Sequence, residues 1–143
     1  MCFVLFAGAR TPLPESEWNE TDRRVFVRPL DENEQPLRHA FTTDSVQYVG
    51  SSLNCGCGFR AKMELEAPYF PDEDDSDGEK QRNHSQLVEL LRPIVERGGD
   101  LVLFGCWWGD WEPKDSQPTR ITLAKIADEG FAFVEGYRYS IVP

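Results

Sequence analysis

Three observations predict an α+β fold. About six short β-branched and aromatic runs are bounded by turn formers, and one long stretch has helical periodicity. The most apolar run of the sequence directly follows that stretch. The architecture expected is a single sheet of about six mostly antiparallel strands with one long helix packed on one face. Residues 1–143 are read as one α+β domain, interrupted by an acidic mobile loop at about 68–79.

Residues 2–7, "CFVLFA", are apolar on both alternating faces, as in a central strand covered on both sides, and "GARTPLP" ends the run. "RRVFVRPL" (23–30) and "SVQYVG" (45–50) are shorter and predict strands nearer an edge. Between them a turn of helix is expected to start at Asp31. Residues 60–78 carry no clear period until the acidic run "YFPDEDDSDGEK". Leu87, Leu90, Leu91, Ile94 and Val95 then recur at helical spacing, which predicts a helix over about 79–97 with Asp77 as N-cap. Pro93 lies inside it and predicts a kink or re-start in the last turn. "LVLFGCWW" (101–108) reads as a second buried strand beneath the helix. "ITLAKIADEG" is a short strand or turn of helix, and "YRYSIV" a closing strand after a bulge or turn at Gly136.

The totals exclude several function classes. A protein of 143 residues buries about two-thirds of its unfolded surface, so no cross-link is needed for folding. With 15 basic against 25 acidic residues the formal charge of −10 repels a phosphate backbone, and no basic stripe escapes the average, so nucleic acid is not expected as a partner. The opening "MCFVLFAGAR" has too short an apolar run for a membrane span and no basic region before it, so a cytoplasmic protein is expected. In a reducing compartment Cys2, Cys55, Cys57 and Cys106 are thiols or metal ligands and not a disulfide frame.

In an extended segment, residues two apart point the same way, so Cys55 and Cys57 can aim both sulfurs at one point, with Gly56 adjusting the backbone. A structural zinc takes four ligands, and Cys2 with Cys106 or His39 are the candidates for the remaining two. The bland alternative makes Cys2 and Cys106 small hydrophobes in strands and "CGCG" a glycine-driven turn. A Cys55–Cys57 disulfide across one residue is strained and labile. Loss of Met1 would expose Cys2 as an N-terminal nucleophile, and "MC" before an apolar strand resembles the start of class II glutamine amidotransferase domains.

"GCWWGDWEP" sets Trp108 and Trp111 beside Asp110 and Glu112, aromatic faces flanked by carboxylates as in sites for a sugar or a cation. Trp107 and Trp108 face opposite sides of a strand, so one of them belongs to the core. Trp108, Asp110, Trp111 and His39 are the ligand-binding candidates. "EDDSDGEKQRNH" places Glu73, Asp75, Asp77 and Gly78 as in a calcium loop, but His84 stands where a bidentate Glu is needed. His39 and His84 are the only imidazoles, and neither lies in a triad signature.

"MCFVLFAG", "NEQPLRHAF", "VQYVGSSLNCGCGF" and "LFGCWWGDW" together resemble a family of small uncharacterised bacterial proteins that begin M-C and have a mid-sequence C-G-C turn. The resemblance runs over most of the sequence and implies no activity. Cys2, Cys55 and Cys57 match its features, and Cys106 is not carried over. A non-enzymatic domain is therefore expected, binding a metal, zinc foremost, or a partner through Cys2, Cys55 and Cys57. Two alternatives stay open: a thiol enzyme, hydrolytic or redox, and an acidic interaction module for a basic protein partner.

Overall fold

The computed structural model describes residues 2–70, 75 and 77–143. The strands in sequence order are β1 (Phe3–Ala9), β2 (Phe26–Pro29), β3 (Ser45–Gly50), β4 (Ala61–Lys62), β5 (Leu101–Trp107), β6 (Thr119–Thr122), β7 (Phe133–Val134) and β8 (Arg138–Val142). Six of them form a mostly antiparallel central sheet in the spatial order β2-β3-β1-β5-β8-β6, and β4 joins β7 in a second, two-stranded parallel sheet. β1 lies at the centre because every one of its residues is buried. It pairs antiparallel with β3 (Leu5 opposite Val49) and with β5 (Phe3 opposite Trp107). Within the central sheet only β6 runs parallel to its neighbour, β8.

Alternation along these strands builds a core on each face. Phe3, Leu5, Ala7 and Ala9 join Val49, Leu101 and Leu103 beneath α1 (Glu79–Glu96), against Leu87, Leu91, Ile94 and Val95. On the opposite face Val4, Phe6, Tyr48, Phe104 and Cys106 pack with Leu37 and Ala40 of a 3-10 segment, Glu32–Ala40. Fully burying a residue such as Phe6 or Phe104 stabilises by about 1.5 to 3 kcal/mol, so both faces contribute to the fold. Residues of α1 pack in the first of these clusters, and the nine-residue segment, in which a single turn is predicted, packs in the second.

That segment begins with a reciprocal cap. Asp31 accepts a hydrogen bond from the Glu34 backbone N–H while the Glu34 carboxylate accepts one from the Asp31 N–H. α1 begins differently from the prediction: Gly78 occupies the N-cap in a left-handed conformation, and the carboxylates of Asp77 and Asp75 accept from the N–H groups of Glu79 and Lys80. The aspartates still satisfy helix amides, although neither sits at the cap itself. The helix runs unbroken through Pro93 to Glu96, without a re-start. Proline removes one hydrogen bond there, and tertiary packing of Ile94 and Val95 holds the last turn. Gly136 is a turn with φ 87°, and its N–H donates to the Gly105 carbonyl.

A short helix α2 (Leu123–Ala127) packs against α1. Buried Arg60 locks the pair, donating to the carbonyls of Ile126, Asp128 and Phe131 and to Gln81 of α1. His84 accepts from the Arg60 backbone N–H, and its other ring nitrogen faces the Ile126 carbonyl at 2.9 Å. Burial first, and the nearby Arg60 cation second, push its pKa down to about 3, so this imidazole is neutral. His84 is therefore a structural residue. Of the calcium-loop pattern, Glu73 lies outside the described residues, as does the centre of the acidic segment expected at 68–79 (71–74 and 76). Among the described residues no helix is long and apolar enough to cross a membrane.

Candidate functional site, a thiol-lined cleft

Beyond β3 the backbone reverses through residues 51–55 into a 3-10 turn, Gly56–Gly58. Buried Ser51 organises the reversal: its hydroxyl donates to the Cys55 carbonyl and accepts from the N–H groups of Leu53 and Gly58. Asn83 of α1 clamps the turn from below by donating to the Gly58 carbonyl and to Ser52 Oγ, and by accepting from the Ser52 N–H. Gly56 then passes so close to the start of β1 that a Cβ there would lie 2.4 Å from the Phe3 carbonyl oxygen. Only glycine permits that approach.

The approach brings Cys55 and Cys57 to Cys2. The Cys55 sulfur accepts from the Cys57 N–H at 3.4 Å. The Cys57 thiol lies near Cys55, Cys2 and the Phe3 backbone N–H, each of which bears on its ionisation. Its pKa lies above the ordinary thiol value, because partial burial and the neighbouring Cys55 outweigh the Phe3 N–H and Cys2, which pull it down. The convergence arises from a turn capped by Cys55, and not from the strand alternation that the C-x-C spacing suggests. Among the described residues, no three or more His, Cys, Asp or Glu form a group that could hold a metal ion as placed.

Cys2 and Cys55 line a cleft of about 380 Å³ whose walls include Val4, Arg28, Tyr48 and Trp108. The Arg28 guanidinium stacks 3.7 Å from the Tyr48 ring centroid and binds the buried Glu34 carboxylate through two hydrogen bonds, of 2.8 and 3.1 Å. Burial opposes the Arg28 charge, but Glu34 reverses the balance and raises its pKa. Tyr48 is pushed up to about 12, chiefly by burial, with Arg28 opposing. Among the described residues neither His nor Lys lines this cleft, so no imidazole or amine base accompanies the thiols. A larger depression of about 670 Å³, bordered by Pro12, Leu30, Arg38 and Asp44, holds neither a thiol nor an aromatic ring.

The remaining candidates divide. Trp108 is half exposed at the cleft and edge-on to Trp111, which itself packs on Phe6. Trp107 turns to the other face and meets Phe3. Asp110 and His39 do not line the cleft; His39 Nε2 lies 2.8 Å from the Glu112 carboxylate, an exposed pair. Cys106 is buried within β5, and desolvation pushes its pKa up to about 12, as for a packed thiol. Arg28, Glu34, Tyr48, Ser51 and Asn83 are not marked by spacing, although Asp31 and Glu34 form a capping-box signal. Comparison with protein-family models, curated proteins and solved structures finds no match.

Proposed function

We propose that the protein binds a thiophilic metal ion, zinc being the first candidate, through Cys2, Cys55 and Cys57. One observation carries the reading: the Gly56–Gly58 turn passes against the start of β1, so that Cys2 and Cys55 line one cleft with Cys57 beside Cys55, although Cys2 is more than fifty residues away in sequence. Partial burial and the neighbouring Cys55 make the Cys57 thiolate costly, and a bound cation relieves that cost. The thiols as placed do not form a ready coordination set, so binding requires the exposed Cys2 and Cys57 to rotate toward a common centre. Three sulfurs at about 2.3 Å then leave the fourth zinc position to water. A nucleophilic thiol is less well supported, since the Cys57 pKa is raised and no imidazole or amine base lines the cleft among the described residues.

Protein purified under reducing conditions is expected to hold close to one zinc per molecule, measured by elemental analysis, and to lose it in Cys55→Ser and Cys57→Ser. Substoichiometric metal, with the three thiols titrating freely in the presence of zinc, would end this reading.

A further inference from the structure

We infer that the protein binds a free α-amino acid, as its zwitterion, in a cavity at the opposite end of β1 from Cys2. The register of the central sheet sets out the charges that receive it. Ala9 pairs with Ser45 of β3 on one side and with Leu101 of β5 on the other, so one residue further on Arg10 stands in a row between Asp44 and Asp100. All three line a cavity of about 400 Å³, together with Thr42, Thr43 and Ser140. Alternation puts this row on the face that carries Val4 and Phe6, and Ser140, opposite Val102, shares that face. One pair inward, Gly8 lets the segment leading into β3 settle on the sheet, since a Cβ there would collide with the Phe41 ring and the Thr43 hydroxyl. Thr43 donates to the Ser45 carbonyl and Phe41 packs edge-on against Phe104, so this wall of the cavity is held in place.

The charges of the row are uncommitted. The side chains of Arg10, Asp44 and Asp100 make no ion pair or hydrogen bond with any described residue, and neither do the hydroxyls of Thr42 and Ser140. Elsewhere Arg28 and Arg138 close directly on their carboxylates. A ligand of one sign is opposed here: the two aspartates repel an anion, and Arg10 repels a metal ion. A zwitterion meets both signs. Its carboxylate accepts the forked N–H groups of Arg10, and its ammonium has three N–H bonds to donate to Asp44 and Asp100. An α-amino acid carries both groups on one carbon, which suits opposite charges one strand spacing apart, about 4.8 Å. The hydroxyls of Thr42 and Ser140 are placed to complete its hydrogen bonding.

The test is a nuclear magnetic resonance titration of the nitrogen-15-labelled protein with a panel of free L-α-amino acids at millimolar concentration, a range that detects weak binding. At least one member is expected to give saturable shifts of the backbone amides at Arg10, Asp44, Asp100 and Ser140. The amide of that amino acid, which lacks the carboxylate, and its N-acetyl derivative, which lacks the ammonium, are each expected to bind at least about tenfold more weakly, the weight of one charge-assisted bond. Arg10→Gln and Asp100→Asn are expected to lower affinity by a similar factor while the rest of the spectrum is unchanged, both side chains being exposed. No saturable shift with any member of the panel, shifts centred elsewhere, or either derivative binding as tightly as its parent would overturn the inference. The derivatives decide the matter on the wild-type protein, without recourse to a variant. The cavity shares no residue with the thiol cleft, so its failure leaves the ion-binding reading untouched.

Discussion

Gly56 faces the Phe3 carbonyl at a distance that leaves no room for a substituent, a Cβ there falling 2.4 Å from the oxygen. Gly56→Ala must push the turn away from β1. The expected cost is about 1 to 3 kcal/mol, as for overpacking, read from urea unfolding followed by circular dichroism. Separation of Cys57 from Cys2 follows, so ion uptake is expected to fall along with stability. An unchanged unfolding midpoint would show that the backbone yields there freely.

Glu34 joins the cap of the 3-10 segment to the stacked Arg28–Tyr48 pair, and it is almost wholly buried. Glu34→Ala removes a cap and two charge-assisted bonds. The loss expected is about 2 to 4 kcal/mol, with Arg28 recovering part of its solvation because it is one-third exposed. Urea unfolding midpoints of the variant and wild type check this.

His84 gives a pH dependence with a definite sign. Its pKa is about 3 in the folded protein, against an unperturbed 6.5. Between those values the unfolded state holds a proton that the folded protein does not, so stability falls as pH drops below 6.5 and levels off near 3. Above 6.5 the residue contributes no pH dependence. The slope approaches about 1.4 kcal/mol per pH unit within the window. His84→Gln is expected to be less stable at neutral pH and to show a shallower acid limb than the wild type in unfolding series at pH 7 and pH 5.

Thiol reactivity separates the ion-binding reading from a thiol enzyme. Iodoacetamide at pH 6 is expected to label Cys57 slowly, because its pKa is raised, and to leave buried Cys106 untouched until the protein unfolds. Rapid alkylation confined to Cys57, mapped by peptide mass spectrometry, would favour the enzyme.

Much of the scaffold is legible in the sequence because single signals decide it. The apolar runs at 2–7 and 101–108 point to buried strands, observed as Phe3–Ala9 and Leu101–Trp107, and the spacing from Leu87 to Val95 places α1 to within a residue. The segment at 60–78 is not legible, since β4 has two residues and exists only through its pairing with Phe133 and Val134. Nonlocal contacts of that kind leave no periodic trace. At the site, Cys2, Cys55 and Cys57 stand out by residue type, whereas Arg28, Tyr48 and Ser51 look ordinary until tertiary structure sets them around the turn. His39 and Asp110 look equally suitable in sequence and lie elsewhere, because the 3-10 segment points His39 at Glu112.

Trp108 is tethered by its backbone N–H to the Cys2 carbonyl, and its ring stands at the mouth of the thiol cleft. That indole shares the cleft with Cys2 and Cys55, so a ligand drawn to those sulfurs is expected to alter its emission, and a fluorescence titration needs no attached dye to check this.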